Sequence, residues 1–162
     1  MGDFEDLHPS AARVARVLRD RGVKGPFREF SASTKTSADA ARALGCDVGA
    51  IASCLVFVLD DEPVVILKSG AFRVDTEQFA TIANGTTLRR ASADEVRVAT
   101  GQPIGGVSPV GWPSRLRVYI DDALAVYDEI WSACGTPNAV FATTYDELRD
   151  LTQAVPVTFT RA

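Results

Sequence analysis

The fold is decided by one stretch near the middle of the chain, residues 51–68, which reads IASCLVFVLDDEPVVILK. Two runs rich in valine, isoleucine and leucine flank the acidic pair Asp60-Asp61. Runs of this length and composition favour β-strands, and a short polar pair between them is typical of a hairpin turn. The stretch therefore predicts two paired strands, over residues 51–59 and 63–68.

Helical and strand patterns mix on both sides of this hairpin. Capping residues, apolar spacing and glycine stops predict helices over residues 9–21, 36–45, 75–82, 92–101 and 144–153. Short β-rich runs predict further strands at 27–32, 86–90, 116–120, 129–133, 139–142 and 155–159. Because strict alternation of strand and helix is missing, we expect one α/β (α+β) domain over residues 1–162, on a mixed, largely antiparallel sheet.

Length and composition exclude several classes of protein. The chain has 162 residues and a formal charge of −4, with 46% apolar and 23% charged residues. That balance is typical of a soluble globular domain. The longest apolar run, residues 51–59, is far shorter than the roughly 20 residues of a membrane-spanning helix. Acidic residues follow Met1 where a secretion signal would be basic, so we expect a cytoplasmic protein with no membrane partner.

The rarest residues exclude most metal and cofactor chemistry. The only histidine is His8, and the three cysteines, Cys46, Cys54 and Cys134, are scattered along the chain. A structural zinc site needs four clustered ligands, and a serine hydrolase needs a histidine beside its nucleophile. We therefore expect no metal, no cofactor, and cysteines that pack as small core residues.

Seven short segments together resemble one known family. They are TSADAARALG (36–45), IASCLVF (51–57), EPV (62–64), RVD (73–75), GQPIGGVSP (101–109), DEIW (128–131) and GTPNAVF (135–141). Each segment is short, but the ordered set is specific. Over residues 9–153 the chain resembles the YbaK/EbsC family, the free-standing aminoacyl-tRNA editing domains related to the insertion domain of bacterial prolyl-tRNA synthetases.

The resemblance implies a fold, an activity and a partner. The fold would be a mixed sheet with a barrel-like core surrounded by helices. The activity would be hydrolysis of the ester in a mischarged tRNA, often a tRNA for proline. The acceptor end of tRNA would be the main partner, and an aminoacyl-tRNA synthetase is a second candidate. Ester hydrolysis needs a water near the carbonyl and donors for the developing oxyanion.

A glycine-rich loop is the first candidate for those donors. Gly105, Gly106, Val107, Ser108 and Pro109 match the family's G-x-x-x-P substrate loop. Two adjacent glycines leave the backbone amides unshielded, so both can approach a carbonyl or the terminal ribose closely. Pro109 would fix the exit of the loop. The alternative is a plain surface turn.

Ser53 is the main departure from the family pattern. Family members typically read Ile-x-Lys-Ser-Leu-Val-Phe here, and the lysine lies in their pocket and supports substrate binding or catalysis. Serine cannot supply a cation to a phosphate or to the substrate. Ser53 therefore separates two interpretations: an active deacylase, or a catalytically impaired protein that binds aminoacyl-tRNA or a small nucleotide- or amino-acid-like ligand. An unrelated hydrolase or a structural domain is a third interpretation, which the ordered segments disfavour.

Lys68 on the second strand is a candidate replacement for the missing lysine. If the turn pairs Asp60 with Pro63, Leu55 faces Lys68, and Lys68 lies diagonal to Ser53 on the same face. Diagonal neighbours are roughly 7–8 Å apart, within reach of a long side chain. We expect the Lys68 ammonium near the place of the missing lysine. The alternative is a solvated lysine near a strand end.

Three further features could contact the substrate. Lys35 and Thr36 stand at a helix start, where a cation and free amides could bind a phosphate; the alternative is simple capping. Thr136 and Asn138 join two strands and could line the pocket. Residues 13–42 carry eight basic against three acidic side chains. This basic segment could face tRNA, or it could be the solvated face of a helix.

Overall fold

The computed structural model describes residues 7–30 and 36–159 of the protein. Within these ranges the helices are α1 (Pro9–Asp20), α2 (Ser37–Leu44), α3 (Thr76–Ile82), α4 (Ala93–Thr100) and α5 (Tyr145–Thr152). The strands are β1 (Phe27–Glu29), β2 (Ile51–Leu59), β3 (Glu62–Ser69), β4 (Leu88–Arg90), β5 (Arg117–Asp121), β6 (Ile130–Ala133), β7 (Ala139–Thr143) and β8 (Val155–Val157). Each helix and strand predicted from the sequence is confirmed, although β4 and β8 are shorter than predicted. β1 ends at Glu29, and residues 31 and 32 of the predicted strand 27–32 lie outside the described residues. None of the described helices is long and apolar enough to cross a membrane.

The strands form one mixed sheet in the order β1-β7-β6-β2-β3-β5-β8, and β4 pairs with β2 beside this path. Four pairings of the described strands are antiparallel: β1–β7, β6–β7, β2–β3 and β2–β4. Three are parallel: β2–β6, β3–β5 and β5–β8. The predicted mixed sheet with surrounding helices is confirmed. Its central pair is the hairpin β2–β3 from which the sequence analysis began.

The register of this hairpin differs by two residues from the expected one. Leu59 pairs with Glu62, so the turn consists of Asp60 and Asp61. Both aspartates have positive φ, 48° and 71°, which is the pattern of a type I′ turn. Aspartate tolerates this left-handed conformation, and the twist of the turn matches the twist of the strands. The expectation that Asp60 pairs with Pro63 is therefore wrong.

The corrected register places Ser53 directly opposite Lys68. A shift of two residues preserves the face of every side chain, because side chains alternate with a period of two. Lys68 therefore lies on the expected face, in a directly opposed rather than a diagonal position. Directly opposed residues have Cβ atoms roughly 4.5–5.5 Å apart.

Apolar side chains cover both faces of the hairpin. Ala52, Val56 and Val58 of β2 join α1, α4 and α5 in the main core. On the other face Phe57 packs with α3, while Ile51 packs with α2. Because both faces are covered, β2 reads as an almost continuous apolar run rather than an alternating one.

One edge of β2 is open in its middle. On that edge β6 pairs with the first two residues of β2 and β4 with the last three, while residues 53–56 have no strand neighbour among the described strands. The Gly70 N–H donates to Ile51 O at 2.8 Å, so the backbone groups of Ile51 point towards β3. Backbone groups alternate in direction along a strand, so odd-numbered residues of β2 point towards β3 and even-numbered residues point to the opposite edge. The main-chain amide of Cys54 therefore points into the opening.

Candidate active site

A cavity of about 820 Å³ lies where β2 lacks a neighbour. Its wall combines the start of α2, the unpaired part of β2, the end of β3, the segment before α3, the loop after α4, and parts of β6 and β7. Most of the wall is apolar, and the charged side chains among its described residues are all basic: Lys68, Arg73 and Arg90. In a chain of net charge −4, this lining indicates a site for an anionic ligand.

The hairpin side of the wall carries Ser53 and Lys68. Ser53 Oγ is 2.9 Å from Ser37 Oγ, which lies in the first turn of α2. Thr36 positions this turn, because its side chain accepts the Asp39 amide at 3.1 Å. One of the two hydroxyls donates its proton to the other, so the second hydroxyl proton and the remaining lone pairs of both oxygens are available to a ligand. The place of the family lysine is thus occupied by a small polar pair.

The Lys68 ammonium binds main-chain carbonyls in this structure. It donates to Ser69 O at 2.8 Å and also to Phe72 O. These contacts direct the ammonium towards the turn after β3, although Lys68 lines the same cavity as Ser53 and Gly105. Charge-assisted bonds to an anion are stronger than bonds to neutral carbonyls, so an anionic ligand can compete for this group.

The loop side of the wall is backbone, shaped by two glycines with different requirements. Gly106 N–H donates to Pro103 O at 2.9 Å, which closes a turn in which Gly105 has a φ of 86°. A Cβ on Gly106 would lie 2.5 Å from the carbonyl carbon of Thr136, whereas a Cβ on Gly105 would have nothing within 4 Å. Close packing therefore requires glycine at 106, and the left-handed backbone favours it at 105.

The rest of the candidate loop divides between the wall and its support. Gly105 and Val107 line the cavity. The expectation that both glycine amides face the substrate is corrected for Gly106, whose amide is used in the turn. Ser108 and Pro109 are buried behind the wall, and Ser108 Oγ donates at 2.9 Å to the main-chain carbonyl two residues further on. We therefore interpret Ser108 and Pro109 as the support of the loop.

The remaining predicted residues lie at the edge of the cavity or beyond the described ranges. Thr36 lines the cavity, and its capping role is the alternative that the sequence analysis left open. Thr136 and Asn138 flank Pro137, which is part of the wall, but they are not themselves among its described residues. The buried Asn138 Oδ1 has no hydrogen-bond partner among residues 7–30 and 36–159. Lys35 lies outside the described residues.

The cysteines have the character of core residues rather than nucleophiles. Burial raises the pKa of the Cys54 and Cys134 thiols to about 12. Burial and the nearby Asp47 carboxylate also raise the pKa of Cys46. Thiols with raised pKa values carry little thiolate near neutral pH. Within the described ranges, no group of three or more His, Cys, Asp and Glu side chains could hold a metal ion.

Ser37, Arg73 and Arg90 are among the wall residues that the sequence analysis missed. Ser37 pairs with Ser53 across 16 positions of sequence, and Arg73 and Arg90 come from segments on either side of α3. Ser37 and Arg73 do belong to the segments that carry the family resemblance, which was the available signal. Arg90 had none, because its place depends on the pairing of β4 with β2.

Comparison with known proteins decides the family. Residues 31–151 match the model of the aminoacyl-tRNA editing domain. The chain belongs to this family. The editing domain is 32% identical over 123 residues to the uncharacterized protein YwhH of Bacillus subtilis (strain 168), covering 75% of this chain and 78% of YwhH. The resemblance drawn from the seven short segments is confirmed.

Two further similarities are to proteins whose names refer to prolyl-tRNA synthesis. It is 30% identical over 121 residues to the proline–tRNA ligase of Leuconostoc mesenteroides, covering 75% of this chain but 20% of the ligase. A solved structure, a candidate trans-editing enzyme for prolyl tRNA synthetase, superposes with a TM-score of 0.89 at 41% identity, over 97% of this chain and 100% of that one. The editing domain therefore shares its whole architecture with a free-standing protein of that description.

Proposed function

We propose that this editing domain is a cytoplasmic trans-editing deacylase, which hydrolyses the ester of a mischarged tRNA, with tRNA for proline as the leading candidate. One observation carries the proposal: Ser53, Lys68 and Gly105 line the same cavity, which lies beside the open edge of β2. Membership of the family and the similarity to proline–tRNA ligases support the substrate class. An aminoacyl-tRNA synthetase as second partner stays a prediction.

The opening in the sheet is the proposed place of the ester carbonyl. Water adds to the carbonyl carbon, the tetrahedral oxyanion forms, and the ester C–O bond breaks as the ribose oxygen leaves with a proton. Fixed donors aimed at the developing oxyanion are the main source of such catalysis. The Cys54 amide points into the opening, and Gly105 lines it. These backbone groups need no reorganisation during the reaction.

Lys68 is the proposed source of positive charge, supplied from the strand opposite the family's lysine position. Two lysines at directly opposed positions of neighbouring strands would repel each other, so only one residue of such a pair is expected to be a lysine. The pair Ser53–Lys68 fulfils that condition with the lysine on β3. The ammonium would exchange its carbonyl partners for the substrate when an anionic group enters the cavity.

A second candidate function is binding without hydrolysis. It is favoured by the three contacts that occupy the polar groups of the hairpin wall. The Ser53 hydroxyl is paired with Ser37, and the Lys68 ammonium is bonded to Ser69 O and Phe72 O. A protein that keeps these contacts would hold aminoacyl-tRNA or a smaller analogue without a free cation at the ester.

Deacylation of a panel of mischarged tRNAs tests the proposal. The panel contains alanyl-, cysteinyl- and seryl-tRNA for proline, and the proteins are wild type, Lys68→Ala and the exposed control Lys24→Ala. We expect wild type and the control to hydrolyse at least one substrate, and Lys68→Ala to lose about 100-fold in kcat/KM. A wild type that binds these tRNAs but hydrolyses none would contradict the deacylase and support the second candidate.

A further inference from the structure

Two basic surfaces could bind the phosphates of tRNA. One is the α1 surface, consisting of Arg13, Arg16, Arg19, Arg21 and Lys24. The other is a pair of arginines at the cavity, Arg73 and Arg90, which we name the arginine rim. We propose that the arginine rim, and not the α1 surface, binds the phosphates of the single-stranded 3′ end of tRNA. This inference rests on the proposed function, because it names how the same cavity receives its substrate.

Several cations of the α1 surface are already engaged within the protein. Arg19 donates to Val23 O at 2.9 Å, and its guanidinium lies 4.9 Å from the centre of the Phe27 ring. Arg21 donates to Leu151 O at 2.8 Å. These contacts hold the C-terminal end of α1 against β1 and α5. Arg19 and Arg21 therefore serve in part as structural support.

The arginine rim is directed to the cavity without a carboxylate partner. Neither Arg73 nor Arg90 has an ion pair among the described residues, and the Arg90 guanidinium lies 5.6 Å from the centre of the Phe57 ring. The adjacent Arg89 takes both oxygens of Glu95, at 2.8 and 2.7 Å. Glu95 is thus paired with Arg89 and not with Arg90.

The acidic side chain closest to Arg73 in the sequence caps a helix. Asp75 lies two residues further along the chain, and its carboxylate accepts the Gln78 amide at 3.0 Å as the cap of α3. This bond fixes Asp75 to the helix. Asp75 keeps its negative charge at this cap, while the Arg73 and Lys68 side chains line the same wall and can face one ligand together.

Apolar surface in the same wall favours a single strand over a duplex. Leu55 and Val74 line the cavity together with the arginine rim, and both are half-buried. Single-stranded nucleic acid is bound where cations track the phosphates and side chains contact the unpaired bases; most of these side chains are aromatic, and other apolar side chains also contact bases held outside a duplex. A blunt duplex end exposes only the outer face of its last base pair. The unpaired 3′ end of tRNA satisfies both requirements and carries the ester at its tip.

Binding of an uncharged RNA tests the arginine rim without any hydrolysis. The probe is a fluorescently labelled RNA hairpin ending in unpaired ACCA, measured by anisotropy from 50 to 200 mM salt beside the same hairpin with a blunt end. The variants are Arg73→Gln and Arg90→Gln, with Arg16→Gln of the α1 surface as matched control. Arg73→Lys keeps the charge and checks for a purely structural effect.

The expected result is specific to the arginine rim. Each rim Gln variant weakens binding of the ACCA hairpin about fivefold at low salt and reduces the slope of log K against log salt by about 0.7. Arg16→Gln changes neither quantity, and Arg73→Lys keeps the slope. The blunt hairpin binds more weakly and responds less to the rim variants. AMP at equal phosphate concentration fails to displace the hairpin, which separates an RNA strand from a free nucleotide as the source of the phosphate.

Opposite outcomes overturn the inference. It fails if wild type does not bind the ACCA hairpin, if the rim variants bind like wild type, if Arg16→Gln reduces the slope as much as they do, or if AMP competes equally. Because the probe carries no ester, a protein that binds it through the arginine rim but deacylates nothing would contradict the proposed deacylase alone.

Discussion

The two sides of the cavity are built in different ways. The hairpin side presents side chains, with Ser53 opposite Lys68 on neighbouring strands. The loop side presents backbone, with Gly106 packed against the chain at Thr136. One substitution on β2 and one on β3 can move a charged side chain from one strand to the other, because the two paired positions share a face of the sheet. A backbone donor cannot move in this way, since its position depends on how two loops pack.

This difference predicts that the loop side is the more fragile of the two. Gly106→Ala should have the largest effect, because the new Cβ would meet Thr136 and Pro137 backbone atoms at 2.5 to 2.8 Å. We expect a loss of about 1–3 kcal/mol in unfolding free energy and of about 100-fold in deacylation, since the turn must shift. Urea unfolding and kcat/KM measure the two effects.

A matched glycine provides the control. Unlike Gly106, Gly22 has a positive φ, 92°, and a Cβ there would have no atom of the described residues within 4 Å; it lies in the turn after α1. Gly22→Ala should reduce stability and leave deacylation unchanged. Wild-type activity in Gly106→Ala would show that the loop tolerates displacement, and the contrast between the two sides would be lost.

Gly105 separates backbone conformation from packing on the loop side. Its φ is 86°, and there is open space around a new Cβ. Gly105→Ala should cost about 1–2 kcal/mol of unfolding free energy, the strain of a left-handed backbone. Gly105→Asn should cost less, because asparagine tolerates that conformation. Equal losses for both variants, measured by urea unfolding, would mean that space rather than φ limits this position.

The hydroxyl pair tests the tolerance of the hairpin side. Ser37→Ala removes the partner of Ser53, which is 2.9 Å away, and should cost about 0.5–1.5 kcal/mol of unfolding free energy. The double variant Ser37→Ala, Ser53→Ala should cost less than the sum of the two single variants, because the second change no longer breaks a bond. Thermal unfolding measures the cycle. Strict additivity would mean that the two hydroxyls do not interact.

The smallest expected effect concerns the support of the loop side by α4. The Arg89 side chain and the Ser92 amide lower the pKa of Glu95 from its ordinary 4.5 to about 2. A lowered pKa stabilises the folded protein above pH 4.5, and this contribution is lost as the pH falls towards 2. Glu95→Gln should therefore be less stable than wild type at pH 7 and equal to it near pH 2. A difference that is independent of pH would contradict this role.

Local chemistry made much of the fold predictable. Thr36, Ser92 and Thr144 cap the helices whose starts they predicted, and their side chains accept the expected amides. The apolar runs of β2 and β3 predicted the hairpin. Its register was wrong because the left-handed conformations of Asp60 and Asp61 set the turn. The available signal was that aspartate tolerates this conformation, whereas a turn at 61–62 would require it of Glu62.

The parts of the candidate site that could be predicted are those formed by residues close together in the sequence. The glycine loop could be found because its residues are consecutive, and the face of Lys68 followed from the period of two. The opening at residues 53–56 arises from strands that lie far away in the sequence, β4 and β6. The pairing of Ser37 with Ser53 and the arginine rim arise in the same way, through tertiary contacts that no local pattern encodes.

The most direct test of the account moves the cation back across the hairpin. Deacylation is measured for wild type, Lys68→Ser and the double variant Ser53→Lys, Lys68→Ser, using whichever mischarged tRNA the wild type hydrolyses. The account predicts that Lys68→Ser loses about 100-fold in kcat/KM and that the double variant recovers most of this loss, because one cation again occupies the same cross-strand pair. A Lys68→Ser protein as active as wild type, or a double variant as inactive as Lys68→Ser, would contradict it.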